Sequence, residues 1–475
     1  MITLTLVFGI IIFVIFTYKN YIKQYEGINK LPGPSTFQLI KELYFNASSK
    51  GIIAYLQSLT TIYGPIVKVW MKPFPPLIIT NDMEYCNKLF KANDHFVTPS
   101  FGEVTFIETS ITLNGNYEER MKDKQIITKT LNMKYIGEKL SIYDERYNKL
   151  LDIIRNNLEK PIYIEKEFHK IFIDVLVETF NHPNVEINKE DIQKYNKNKE
   201  DYFDLLMKKM NSIKYVGFLH KFSDNYKSMR KCHNEIMEFV WNWLEKFKGI
   251  DESLRDKSNL ICAMIENGMP ERRIVDNLNT LIEGGHETTI RPLSMALRNL
   301  GENLEIQQTL FNEVTNIIGT DIKEVTMDDI NKMTYLHAFI KESIRLYMSV
   351  PFLDRITNYD MEIGGTKIPK NTQVFFDIPG ILTSEKNYED PLSFKPTRFL
   401  KENATSKSQK AFLGFGYGVK GCPGKFIAYT AMKLFIIKII REFEIVHVDH
   451  KIEFMADLFF RSTNGIPVVF RKRLQ

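Results

Sequence analysis

Two places in this 475-residue chain combine residue types and spacing that could do chemistry. The first is Phe415-Gly416-Tyr417-Gly418-Val419-Lys420-Gly421-Cys422-Pro423-Gly424. Four glycines in ten residues lose much backbone entropy on folding, so something there needs positive φ or close backbone approach. A long apolar helical run, KFIAYTAMKLFIIKIIREF, follows at once. The pattern predicts Cys422 at that helix's N-terminus with Pro423 in the favoured first helical position. The helix dipole and free N–H groups would lower the thiol pKa, giving a metal ligand or a nucleophile. A nucleophile normally needs a base, and this loop holds no His. A buried cysteine at a glycine-rich turn is the plainer alternative.

The second place is Gly284-Gly285-His286-Glu287-Thr288-Thr289, in the middle of a long helical pattern. Two glycines inside a helix cost roughly 1 kcal/mol each relative to alanine, which a wall beside a flat group would justify. A carboxylate followed by a hydroxyl can relay protons. Pro292 cannot donate to the carbonyl of Thr288, which predicts a kink or widening at this pair. His286 is a metal-ligand candidate by type, but no role is assigned to it.

The elements that must position these groups are mostly helices. Apolar residues recur at i, i+3 and i+4 over 139–160, 163–180, 222–247, 271–300 and 334–347. Shorter β-branched and aromatic stretches at 66–71, 76–81 and 373–382 read as extended. There is no internal repeat and no low-complexity tract. The reading is a mainly α domain with a small β-rich lobe over 35–475. Apolar residues make up 44% and charged residues 25%, as in ordinary globular proteins. A net charge of +5 with interspersed signs does not imply nucleic-acid binding. Cys86, Cys232, Cys262 and Cys422 show no disulfide-like spacing, which favours reduced thiols.

Residues 1–20 are expected to form a transmembrane anchor. Ile2 to Tyr18 carries no charge and is near the short end of a bilayer span. It lacks the basic start and small-residue cleavage site of a signal peptide. Lys19, Lys23 and Lys30 follow it, which predicts a cytosolic body. Residues 21–34, basic and ending in Leu31-Pro32-Gly33-Pro34, read as a stiff hinge.

The cysteine loop resembles the haem-binding loop of the cytochrome P-450 family, F-G-x-G-x-R-x-C-x-G. The relay segment resembles that family's [A/G]-G-x-[D/E]-T-[T/S]. Glu342-Ser343-Ile344-Arg345 is similar to its E-x-x-R, and Phe394-Lys395-Pro396-Thr397-Arg398-Phe399 to its P-x-R-F, all in family order. Glu252-Ser253-Leu254-Arg255 matches E-x-x-R too, but out of order. The resemblance implies the family's triangular single domain and a haem-thiolate monooxygenase. Cys422 would be the axial ligand of haem b, its thiolate favouring O–O cleavage. Phe415, Gly416, Gly418, Lys420 and Gly424 would complete the cofactor loop, with Lys420 in place of the usual Arg. Glu287 and Thr288 would be the catalytic pair. Glu342, Arg345 and Arg398 would be structural. Arg355 and Lys122 would meet haem propionates, Lys122 and Glu118 replacing the Arg and Trp of W-x-x-x-R, with Arg120 off the expected face.

The resemblance further implies O2 as co-substrate and oxygen insertion into a C–H bond of a lipophilic small molecule. Electrons would come from an NADPH-dependent diflavin reductase, because no nucleotide-binding segment is identified here. Its docking face would include Lys420, Lys425 and Lys433. Phe101, Phe106, Val350, Phe352 and 458–460 would line the substrate pocket, and the endoplasmic reticulum is the implied membrane. A haem-thiolate isomerase or dehydratase is disfavoured by the intact Glu287-Thr288 pair. A non-turning haem binder is the other alternative, raised by the altered propionate contacts.

Overall fold

The computed structural model describes residues 17–45, 51–72, 74–91, 109–112, 114–210, 218–319, 324–456 and 459–473. The expected anchor (1–16 of it), Phe101, Phe106 and Leu458 fall outside these. Among the described residues, no helix is long and apolar enough to cross a membrane. Residues 21–34 lie against the body: Tyr25 and Ile28 are buried, and the Pro32 carbonyl accepts from Lys68 N at 2.9 Å.

A four-stranded sheet gathers β1 (Ile66–Val69), β2 (Leu77–Thr80), β3 (Phe352–Ile356) and β4 (Gln373–Asp377) in the order β1-β2-β4-β3. Strand β4 runs parallel to β2, and the other pairs are antiparallel. The extended stretch predicted over 373–382 stops at Asp377. Its carboxylate accepts from Gly380 N at 3.1 Å, and Pro379 in the first turn starts the short helix Ile378–Leu382 instead.

Eight helices carry the argument: α1 (Tyr117–Thr130), α2 (Leu140–Arg155), α3 (Ile164–Phe180), α4 (Lys189–Met210), α5 (Asp224–Lys248), α6 (Glu271–Glu302), α7 (Thr334–Leu346) and α8 (Lys425–Glu442). Helix α6 crosses the molecule and packs against α3, α5, α7 and α8. Its first half buries Ile274, Leu278 and Ile282 in a core shared with α4 and α5. Its second half buries Leu293, Leu297 and Leu300 in a larger core shared with α2, α7 and α8. Glu283 to Thr289 falls between the two cores. The polar relay segment therefore lies where burial does not demand apolar side chains.

Candidate functional site

The two glycines of the relay segment are needed for different reasons. A Cβ on Gly285 would come within 3.0 Å of Leu176 on α3, so this glycine permits close helix packing. A Cβ on Gly284 would meet nothing within 4 Å, so Gly284 leaves open space beside the helix.

The expected widening at Pro292 is corrected. Helix α6 is α-helical from Glu271 to Glu302 without interruption. The Thr288 carbonyl, which Pro292 cannot bond, accepts instead from Ser349 Oγ at 3.1 Å. A side chain from the loop after α7 thus replaces the missing ladder bond.

Glu287 and Thr288 are neighbours in sequence but have separate partners. Thr288 Oγ1 donates to the Gly284 carbonyl at 2.5 Å. The Glu287 carboxylate lies 3.0 Å from His286 Nδ1 and 3.4 Å from Lys199 Nζ of α4. Burial pushes the Glu287 carboxyl up, but Lys199 and His286 outweigh it and hold the group well below the usual carboxylate range. His286, which the sequence left without a role, is fully buried at the centre of this cluster.

The cysteine loop is held by its own backbone. Cys422 N donates to the Phe415 carbonyl at 2.7 Å, and Gly421 N to the Gly418 carbonyl at 2.9 Å. Gly416 and Gly418 have φ of 73° and 60°, which explains glycine at both positions. Helix α8 begins at Lys425, capped by Gly424, so Pro423 precedes the helix rather than opening it. The expected lowered thiol pKa is also corrected. Cys422 lines a hollow and is exposed within it, yet its sulphur sits deep in the protein. Burial pushes the thiol up, against the downward pull of the Gly424 N–H, Lys124 and Lys425.

The hollow has a volume of about 990 Å3 and is lined by Phe415, Gly416, Gly418 and Gly421 of the loop, Lys425, and one face of α1 that includes Glu118 and Lys122. Phe415 packs on Tyr429, with ring centres 4.9 Å apart. Lys420 is half-buried in the turn Gly418–Lys420.

Helix α1 turns a different face inward from the one expected. Glu118 and Lys122 are exposed. Arg120, two positions from each of them, is only 3% exposed, and Lys124 reaches across to donate to the Gly421 carbonyl. The inward pair is therefore Arg120 and Lys124, two positions beyond Glu118 and Lys122. The i, i+4 spacing is the same, so the sequence carried the signal in a register shifted by two. Lys124 is lowered to about 8, first by burial and then by repulsion from Arg355 and Arg120, with Cys422 opposing. Arg355, on β3, donates to the Asp354 carbonyl at 2.7 Å and lies 5.6 Å from the Phe90 ring centre.

These residues fit haem. Open space at Gly284, a cysteine in a positive-φ loop, and Arg120 and Arg355 close enough to Lys124 to lower it, near Cys422, suit a flat group that takes a thiolate ligand and carries two carboxylates. Tyr117 and Asp354 temper the charge on Arg120.

The E-x-x-R residues are fully buried. Glu342 accepts from Arg345 Nε at 2.7 Å and Nη2 at 2.8 Å, from Arg398 Nε at 2.9 Å and from Lys395 N at 2.8 Å. Arg345 Nη1 donates onward to the Leu382 and Pro391 carbonyls. The look-alike Glu252 and Arg255 form a loose 3.7 Å pair, with the Glu252 side chain 89% exposed. Lys433 is buried and donates to the Ile330 carbonyl at 3.1 Å, so it offers no charge to a docking partner, contrary to expectation. Of the expected pocket residues, Phe352 packs on Phe375 and Phe460 on Arg291.

The sequence profile described as Cytochrome P450 matches residues 31–465. "Cytochrome P450 4V2" of Mus musculus is 25% identical over 86% of this chain and 82% of its own length. "Cytochrome P450 4c21" of Blattella germanica is 23% identical over 93% of each. A solved structure, "Crystal structure of cytochrome P450DA heme domain", superposes with a TM-score of 0.80 at 16% identity, covering 94% of this chain and 98% of that one.

Proposed function

Because the chain belongs to the cytochrome P450 family, and is by that membership a haem-thiolate monooxygenase, we propose that it oxygenates a lipophilic small molecule with electrons from a diflavin reductase. The observation that carries the site assignment is the position of Cys422, in a glycine-shaped loop beside three buried or half-buried cations. Cys422 would hold the iron of haem b. Arg120, Lys124 and Arg355 would hold its carboxylates. When bound, that group supplies activation of O2, with NADPH acting only through the reductase.

The chain's own residues do the rest. Gly284 keeps α6 clear of the reacting oxygen and of substrate. Thr288 and Glu287 supply protons, Thr288 Oγ1 being the hydroxyl beside the open space at Gly284. Glu342, Arg345 and Arg398 brace α7 against the segment leading into the cysteine loop. The hollow beside Cys422 presents exposed Lys122, Lys129 and Lys425, and an acidic reductase surface would meet it there. Residues 1–20 would anchor the chain, with its body cytosolic, in the endoplasmic reticulum membrane.

The test uses the full chain with haem, a diflavin reductase, NADPH, and two probes, a medium-chain saturated fatty acid and a sterol. A hydroxylated product from either probe, formed in step with NADPH consumption, is the expected result. Haem that is bound and reduced by the reductase while neither probe is oxidised would overturn the lipophilic-substrate reading.

A further inference from the structure

Helix α1 carries two of the cations near Cys422, yet little in its own sequence sets how it is turned. Its buried residues are Arg120, Asp123 and Ile127, and only the last is apolar. No apolar stripe therefore fixes its rotation. A polar contact on the neighbouring face does. Arg273, in the first turn of α6, places Nη1 2.8 Å from Glu119 Oε2 and donates from Nη2 to Asp123 Oδ1 at 3.1 Å. Glu119 and Asp123 are four residues apart and so share one face of α1. Arg120 and Lys124 each follow them by one residue, a step of about 100° around the helix. With the first pair held against α6, the second pair is turned toward the cysteine loop, where Lys124 donates to the Gly421 carbonyl.

The contact is closely supported. The Asp123 side chain is 1% exposed and that of Arg273 12%. Burial pushes the Asp123 carboxyl up, and Arg273 is the first influence pulling it back. Glu119 also accepts from Asn114 Nδ2 at 3.3 Å, and the Asn116 side chain caps α1 by accepting from Glu119 N. A planar guanidinium fork suits two carboxylates at once, whereas a lysine ammonium is a single point charge. Asp276 and Asn277, one turn further along α6, hold the chain just before α1. Asp276 accepts from Thr109 N at 3.3 Å, and Asn277 Oδ1 accepts from Ile111 N at 2.7 Å. The first two turns of α6 thus grip α1 and its approach together.

We propose that Arg273 is the positioning residue for the haem carboxylates. By holding Glu119 and Asp123, it sets the rotation of α1 that presents Arg120 and Lys124 to the cofactor. The proposal rests on the reading of Arg120, Lys124 and Arg355 as the groups that hold those carboxylates. Arg273 does not line the hollow beside Cys422, so its effect on haem passes through α1.

The test measures haem transfer from the haem-loaded full chain to apomyoglobin, with the melting temperature alongside. The variants are Lys124→Ala, Arg273→Met, Arg273→Lys, Arg272→Met, and Lys124→Ala combined with Arg273→Met. Arg273→Met is expected to speed transfer roughly fivefold. The combined variant is expected to fall clearly short of the product of the two separate factors, because both changes act on the same cation. Arg273→Lys keeps a charge beside buried Asp123, so it guards against a folding failure, and it is expected to give a smaller increase. Arg272 pairs with Asp276 rather than with α1, and its side chain is 49% exposed. Arg272→Met should therefore leave transfer unchanged. Unchanged transfer in both Arg273 variants, a combined effect equal to the product, or equal speeding by Arg272→Met would overturn the positioning role. Unchanged transfer in Lys124→Ala would instead overturn the reading of the cations on which it rests.

Discussion

Lys124 is the residue whose environment says most about the cofactor. It is half-buried beside Arg120 and Arg355; burial first, and then their repulsion, lowers its pKa to about 8. A buried cluster of cations is costly unless an anion accompanies it. Two carboxylates of haem lying among them would relieve the repulsion, and each charge-assisted bond would contribute on the order of 1.5–3 kcal/mol. Lys124→Ala is therefore expected to speed haem transfer to apomyoglobin by roughly tenfold or more. Lys122→Ala, at an exposed position in the register first expected, should leave transfer unchanged. Equal effects of the two substitutions would show that the inward face of α1 does not hold the cofactor. Glu287 gives a second outcome at this scale. Lys199→Met removes the largest influence holding its carboxyl down, so burial would dominate and its pKa would rise. A carboxyl infrared band in Lys199→Met near neutral pH, lost in the further Glu287→Gln variant, is the expected signature.

Among the elements, the link between α7 and the segment 394–399 is the most fully satisfied polar structure in the site region. Glu342 carries four donors, and two of the side chains that reach it are arginines. Breaking a buried pair leaves an uncompensated charge and costs about 3–5 kcal/mol. Glu342→Ala is expected to lower the melting temperature by several degrees, whereas Glu252→Ala, on the exposed look-alike, should change it little. Much of this level was legible in the sequence. Helices α2, α3, α5, α6 and α7 and strands β1 and β2 follow from apolar spacing, and two of the loop's four glycines, Gly416 and Gly418, take the positive φ that was one of the two reasons read for them. What was hidden needed tertiary knowledge. The stop of β4 at Asp377 depends on a carboxylate turning back to cap Gly380. The uninterrupted helix at Pro292 depends on Ser349, sixty-one residues beyond Thr288, reaching its carbonyl. The inward face of α1 depends on which side meets the cysteine loop, and a polar helix has no apolar stripe to reveal that.

For the whole molecule, buried histidines set an acid limit. Burial is the first cause lowering His233, His286 and His337 to about 4 each, with neighbouring cations adding to it. The unfolded chain takes up these protons near pH 6.5, whereas the folded chain resists until about pH 4. Stability is thus full above about pH 6.5 and falls as pH drops toward 4, by up to about 1.4 kcal/mol per pH unit for each histidine. Thermal melts should show this slope, and His337→Phe, beside the Tyr429 ring, should reduce it. A melting temperature flat between about pH 6.5 and pH 4.5 would contradict this account.

The most direct measurement is the carbon monoxide difference spectrum of the dithionite-reduced full chain, taken alongside Cys422→Ala. Thiolate ligation through Cys422 should give a strongly red-shifted Soret band in the unsubstituted protein, and that band should be missing from the variant even where the variant still takes up haem. A folded protein that binds no haem, or one whose red-shifted band survives in Cys422→Ala, would contradict the assignment of Cys422 as the iron ligand.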